Sequence, residues 1–327
     1  MVDEVVLQAY SLSKSFGDLK AVDNVSLSIK RGQIAGLLGP NGAGKSTTLK
    51  ILSTLLTPGS GRAVIAGFDT VGQPLKVRQH IGVIFQDSTL DNRLTGRENL
   101  EFHCMLYKVP KKERKARISK MLDMVDLNEA ADRIAKTYSG GMKRRLEIAR
   151  GLLHTPSLLF LDEPTVGLDP QTRVKIWDYI RQLVKEYGMG VLMTTHYMEE
   201  AENCDYISIM DNGCIIAEGS PSDLKATLEG HRIYLESPDV QAAIQWLETF
   251  WSIKANPEGD GLAFVLPNGE TQLANLITEI PYTIQRLTIH QPTLEDVFLR
   301  LTGRKIRDLE PGSRDLLKLS AQRKGRL

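Results

Sequence analysis

Only three cysteines, Cys104, Cys204 and Cys214, occur in 327 residues. They have neither metal-ligand spacing nor histidines close in sequence, which fits reduced thiols and gives no disulfide framework. Aromatic residues are scarce at 6%, and 41 basic against 40 acidic side chains leave a formal net charge of +1. That balance lacks the footprint of a general nucleic-acid binder. There is no run of about 18 uncharged apolar residues, so no segment is expected to span a bilayer and any membrane role needs a separate subunit. Met1 to Leu7 carries Asp3 and Glu4, with no basic region leading into an apolar stretch, so no secretory leader is expected. No internal repeat is visible. The length points to one large domain with a smaller appendage.

Against these absences stands one dense motif, Gly39-Pro40-Asn41-Gly42-Ala43-Gly44-Lys45-Ser46, followed by Thr47. Its glycines let successive backbone N–H groups turn inward around phosphate oxygens. Lys45 can reach the β and γ phosphates, the Ser46 hydroxyl can ligate magnesium, and the start of the following helix adds a favourable field. A dinucleotide fingerprint fails, because Gly42 and Gly44 are followed by Thr47 where a third small residue should sit.

Residues 5–12 and 20–30 alternate as two antiparallel strands, and 33–38 reads as a buried strand leading into the loop, with a helix expected over 45–55. Short apolar runs at 81–85, 158–161 and 191–194 suit strands of a mainly parallel sheet, covered on both faces. Residues 96–124 read as helical throughout. The basic cluster there, Lys111, Lys112, Arg114, Lys115 and Arg117, suits a solvated helix face. Tyr206 to Met210, Asp211-Asn212-Gly213 and Cys214 to Ala217 read as a closing hairpin, and a last helix begins near Pro221. The expected fold is α/β up to about residue 228, with a helical subdomain at about 90–155. Strand-like pieces at 232–236, 262–266 and 282–288, alternating with helical ones at 240–250 and 270–279, then describe an α+β accessory domain over 229–303. Residues 304–327 hold eight basic and three acidic side chains without apolar periodicity, as a flexible tail would.

Two further stretches carry chemistry. The run Leu158 to Glu163 is an apolar strand ending in two carboxylates, which places both at the carboxyl edge of the sheet. Asp162 suits magnesium, and Glu163, one residue further out, can orient and polarise a water attacking the γ phosphate. Ser139-Gly140-Gly141 opens a helix with a serine cap and exposed N–H groups, which makes a second anion site or simply a helix start. One molecule has little use for two γ-phosphate sites, so the second would serve a partner's nucleotide.

In this order the motifs resemble the nucleotide-binding subunit of an ATP-binding-cassette (ABC) transporter, a P-loop NTPase fold, over residues 5 to about 228. The resemblance implies that Tyr138-Ser139-Gly140-Gly141-Met142 is the family signature, although Tyr138 and Met142 depart from its commonest form. It implies that Gln86 is the Q-loop glutamine, a catalytic and metal-binding residue, and that it reports nucleotide state to the helical subdomain. It also makes Gly167-Leu168-Asp169 the D-loop, His196 the switch histidine, and Phe16 the aromatic that stacks on adenine. Pro292 to Leu299 with Thr302-Gly303, the signature variant and Leu94 to Leu100 are similar to the daunorubicin-resistance type of ABC ATPase, which serves type-2 exporters. The implied protein is an ATPase using ATP and Mg2+, peripheral on the cytoplasmic face of the cell membrane. It would pair with a second ATP-binding subunit, a homodimer being the simplest case, and with an integral membrane permease. An importer ATPase is the neighbouring reading. A soluble ABC machine acting on ribosome or DNA is further off, since only one phosphate loop is present and the span from Lys45 to Ser139 is too short for a long coiled coil.

Overall fold

A computed structural model of the chain describes residues 4–228, 230–267 and 269–304, so most of the expected tail at 304–327 lies outside the described residues. The chain divides between Glu218 and Gly219 into two compact units. In chain order the first contains β1 (Val5–Phe16), β2 (Leu19–Lys30), β3 (Ile34–Leu38), helix α1 (Lys45–Leu52), β4 (Ser60–Ile65), β5 (Phe68–Asp69), α2 (Pro74–His80) and β6 (Ile81–Ile84). Helices α3 (Gly96–Leu106), α4 (Lys111–Met124) and α5 (Gly140–Leu152) follow, then β7 (Leu158–Asp162), α6 (Pro170–Tyr187), β8 (Gly190–Thr195), α7 (Met198–Ala201), β9 (Tyr206–Asp211) and β10 (Cys214–Gly219). The second contains α8 (Pro221–Ala226), β11 (His231–Glu236), α9 (Val240–Phe250), β12 (Ala255–Glu258), β13 (Gly261–Leu266), α10 (Gly269–Glu279), β14 (Arg286–His290) and α11 (Leu294–Thr302).

The central sheet runs β10-β9-β3-β8-β7-β6, and β3, β6, β7, β8 and β9 are parallel neighbours. Every residue of β3, β7 and β8 is buried, as expected of strands covered on both faces. Leu38 pairs with Thr195, and Asp162 with Thr194. The phosphate loop, the two carboxylates and His196 therefore leave the sheet at one carboxyl edge. The β9–β10 turn holds Asn212 at φ 46° and Gly213 at φ 82°, both left-handed, which is the two-residue turn that matches strand twist. A second sheet, β2-β1-β4-β5, is antiparallel. β4 and β5 escaped the sequence reading, because Ser60-Gly61-Arg62 breaks the apolar alternation.

The helix expected over 96–124 is two. Pro110 lacks an N–H and disfavours helical backbone at Val109, and Lys108 turns left-handed at φ 56° to end α3. Val109 N–H then donates to Cys104 O at 2.9 Å, closing the turn.

In the second unit the order β-α-β-β-α-β folds into an antiparallel sheet β12-β13-β11-β14, the double split arrangement of ferredoxin-like domains. Ile233, Leu235, Leu262, Phe264 and Leu266 form its core with Ala243 and Leu247 of α9 and Leu276 of α10. The strand expected at 282–288 starts four residues late. Tyr282 and Ile284 instead pack on this core from a loop, and β12, with Pro257 in an edge strand, was missed.

Candidate active site

The phosphate loop is shaped by close backbone approach. A β-carbon on Gly39 would strike Met210 O, and one on Gly44, held at φ 102°, would strike Ala21 O. Helix α1 begins at Lys45 with no side-chain cap, whereas α3, α5 and α6 are capped by Thr95, Ser139 and Asp169. Its first-turn N–H groups are left for an acceptor from outside the protein, where an anion also meets the positive end of the helix dipole. Lys45 is 4% exposed and donates from Nζ to Gly39 O at 2.8 Å and Pro40 O at 3.0 Å. Burial lowers its pKa, opposed by the charges of Glu163 and Asp162. A buried ammonium beside uncapped amides suits a polyphosphate.

Ser46 Oγ donates to Asp162 Oδ1 at 3.0 Å, and Thr194 Oγ1 donates to the same oxygen at 2.5 Å. Ser46 and Asp162 thus present two hard oxygens side by side, a donor set that fits magnesium, which shares its shell with substrate phosphates and water. Glu163 follows with φ 46°, a conformation that costs a residue bearing a β-carbon about 1–2 kcal/mol. Its N–H is held by Thr194 O at 3.2 Å and Thr194 Oγ1 at 3.1 Å. Its Oε1 accepts from His196 Nδ1 at 3.1 Å, and Lys45 Nζ stands 4.0 Å away. The His196 hydrogen bond holds the Glu163 pKa below the usual carboxylate value, and burial works against it. Glu163 is therefore an ionised acceptor at the sheet edge.

Ser139 caps α5, accepting from Met142 N–H at 3.2 Å, and lies exposed with Gly140. A β-carbon on Gly141 would press on Thr172 Cγ2 at 2.7 Å. Thr172 in turn donates from N and Oγ1 to the two carboxylate oxygens of Asp169, at 3.0 and 2.6 Å, so Gly141 and Asp169 meet through one threonine. Tyr138 is buried and donates its hydroxyl to Ala130 O at 2.6 Å, in a space that a side chain at Gly96 would fill. The unusual tyrosine of the signature and the glycine of the 94–100 segment are thus parts of one contact.

Phe16 is 51% exposed at the end of β1, opposite Leu19. Gln86 leaves β6 at the same sheet edge as Asp162 but is exposed, and no hydrogen bond joins it to Ser46, Asp162 or Glu163. Arg144, on helix α5 after the signature, carries no signal in the sequence, yet it is 6% exposed and central. It donates to Phe85 O at 2.6 Å, Pro164 O at 2.7 Å and Asp162 O at 3.1 Å, and it pairs with buried Glu147 at 3.3 Å. The residue before Gln86 and the residues around Glu163 are held by one guanidinium, whose planar fork suits three carbonyls. Arg144→Ala removes the cation paired with buried Glu147, which keeps only the Thr89 N–H, and is expected to cost about 3–5 kcal/mol, measured by urea unfolding. A loss under about 1 kcal/mol would show that water replaces the guanidinium.

Alongside the site, a cavity of about 430 Å³ opens between β6, α3 and α5. Exposed Leu55, Phe102 and Leu106 line it together with His103, Tyr107 and His154, the last two stacked at 3.9 Å.

The geometry agrees with comparisons to known proteins. The family model "ABC transporter" matches residues 22–166, and "ATP-binding protein DrrA1-3-like, C-terminal domain" matches 219–302. Daunorubicin resistance ATP-binding protein DrrA2 of Streptomyces coeruleorubidus is 37% identical over 320 residues, covering 94% of this chain and 98% of that protein. Linearmycin resistance ATP-binding protein LnrL of Bacillus subtilis (strain 168) is 38% identical over 312 residues, covering 93% and 100%. Among solved structures, the dimeric post-hydrolysis state of the ATP-binding cassette MJ0796 bound to ADP and Pi superposes with a TM-score of 0.61 at 30% identity, covering 65% of this chain and 98% of that one. With the phosphate loop, the paired carboxylates and the ferredoxin-like second unit in place, the chain belongs to the ATP-binding subunits of ABC transporters of the daunorubicin-resistance type, and it is an ATPase.

Proposed function

We propose that the chain powers export of a drug-like substrate through a separate integral membrane permease. It would act as a peripheral subunit on the cytoplasmic face of the membrane, with two copies closing head to tail around ATP. The observation that carries this reading is the ionised Glu163 held between His196 and Lys45 at the mouth of the phosphate loop. Relatives named for resistance to daunorubicin and linearmycin, matching both units, support the direction and the class of cargo.

Phe16 would stack on the adenine, and the residues from Gly39 to Thr47 would hold the phosphates by backbone N–H groups and the Lys45 ammonium. Ser46 and Asp162 would hold magnesium, with Gln86 swinging in beside them. Magnesium held by those residues would supply charge neutralisation for the bound phosphates. Glu163 would orient and polarise the attacking water, while His196 holds Glu163 in place and contacts the γ phosphate. Ser139, Gly140 and Gly141 of one copy would bind the γ phosphate held by the other, and Asp169 would meet the opposing copy beside them. The nucleotide would then hold the two copies together until hydrolysis weakens that contact. The cavity beside β6, apolar at its rim and one residue from Gln86, would receive the permease.

Affinity purification of Glu163→Gln protein from detergent-solubilised native membranes, with ATP and magnesium, tests the reading. Recovery of a polytopic membrane protein without its own cassette is expected. Recovery of ribosomal or DNA-bound proteins, with no membrane partner, would overturn it.

A further inference from the structure

Glu200 has no part in the roles assigned above, yet it is among the most enclosed charged residues of the first unit. It is 1% exposed on the short helix α7, and no ion pair joins it to any described residue. Its two carboxylate oxygens accept from two different hydroxyls. Oε2 accepts from Thr195 Oγ1 at 2.5 Å, and Oε1 accepts from Thr165 Oγ1. Both threonines are themselves buried, at 1% and 0% exposure. Thr195 immediately precedes His196, and its Oγ1 also accepts from Tyr197 N–H at 3.0 Å, so its hydroxyl proton is committed to Glu200. Thr165 lies two residues after Glu163, at the start of the segment that runs through Gly167 and Leu168 to Asp169.

We infer that Glu200 is a positioning residue for ATP hydrolysis: it clamps the 163–169 segment to the end of β8 and so sets the spacing between Glu163 and His196. The clamp completes a frame around Glu163. From one side Arg144 holds Pro164 O and Asp162 O, and from the sheet Thr194 holds the Glu163 N–H. Glu200 supplies the remaining tie, on the side of His196. A carboxylate suits the task because it accepts two hydroxyl protons at once. A glutamine puts an NH2 donor in place of one of these oxygens, so the threonine hydroxyl on that side loses its acceptor. Such a burial is costly unless both oxygens are used, and here both are.

The inference rests on the role of Glu163 proposed above, and the test separates the two. Steady-state and single-turnover ATP hydrolysis would be measured for Glu200→Ala and Glu200→Gln, in the wild-type chain and in the Glu163→Gln chain. Each preparation would be normalised to its concentration of nucleotide-binding sites, titrated with a fluorescent ATP analogue. A displacement of about 1 Å at Glu163 or His196 predicts that Glu200→Ala lowers kcat about 10²-fold with KM for ATP little changed. Glu200→Gln, which keeps the volume and one acceptor, should lose about tenfold and serves alone if the alanine variant does not fold. In the Glu163→Gln chain both substitutions should cost a much smaller fraction of turnover, because the main group they position is already gone and only the His196 contact is left to disturb. The same fractional loss in both chains, or unchanged kcat per binding site in Glu200→Gln, would overturn the inference. Wild-type turnover in Glu163→Gln by itself would instead remove the role of Glu163.

Discussion

Glu163→Gln is expected to bind ATP with little change in affinity while turnover falls about 10²–10⁴-fold, the range of a lost general base. The amide keeps the volume of the carboxylate and can still accept from His196 Nδ1, so the fold and the loop should survive. It cannot take a proton from water, and the anionic partner of Lys45 is removed. In the proposed cycle hydrolysis reopens the ATP-bound pair of copies, so the variant should accumulate as a dimer in ATP and magnesium and return to monomer in ADP. Light scattering after size exclusion reads the dimer, and single-turnover phosphate release reads the chemistry. Near-wild-type release would remove Glu163 from its role, and slow release without a dimer would remove the shared-nucleotide arrangement.

Lys45→Ala is expected to weaken ATP binding about 10–100-fold, the loss of a charge-assisted hydrogen bond worth about 1.5–3 kcal/mol. Lys45 is the only side chain on the loop carrying positive charge, and its burial makes water a poor substitute. The loss should be smaller for ADP, which lacks the γ phosphate. Without the ammonium, Glu163 and Asp162 face each other and the incoming phosphates with less compensation, so turnover should fall more steeply than affinity. Titration of both nucleotides by calorimetry tests this. Equal affinity for ATP before and after the substitution would count against the whole phosphate-loop assignment.

The glycines of the loop, the apolar run ending in Asp162-Glu163 and the serine before Gly140-Gly141 were legible because each is a local requirement. A phosphate cradle needs backbone without side chains, a buried parallel strand needs consecutive apolar residues, and a capped helix needs a hydroxyl at its start. Where composition departed from a simple period, reading failed. The polar opening of β4 concealed a strand, Pro110 divided a helix that otherwise looked continuous, and an edge strand containing Pro257 looked like a loop.

The sequence by itself set the order of the candidate parts: the loop of Gly39 to Ser46, the carboxylates 162 and 163, and the alternation that makes the second unit α+β, with His196 and the signature added by the family resemblance. Only the tertiary structure decided which distant residues hold those parts in place. Arg144, Thr194, Thr165 and Glu200 are polar residues of ordinary spacing, separated along the chain and unremarkable one by one. Their significance lies in burial and in the carbonyls and hydroxyls they face across the sheet edge. A buried polar group must find its partner wherever the fold brings one, and that partner is set by strand register rather than by neighbours in sequence.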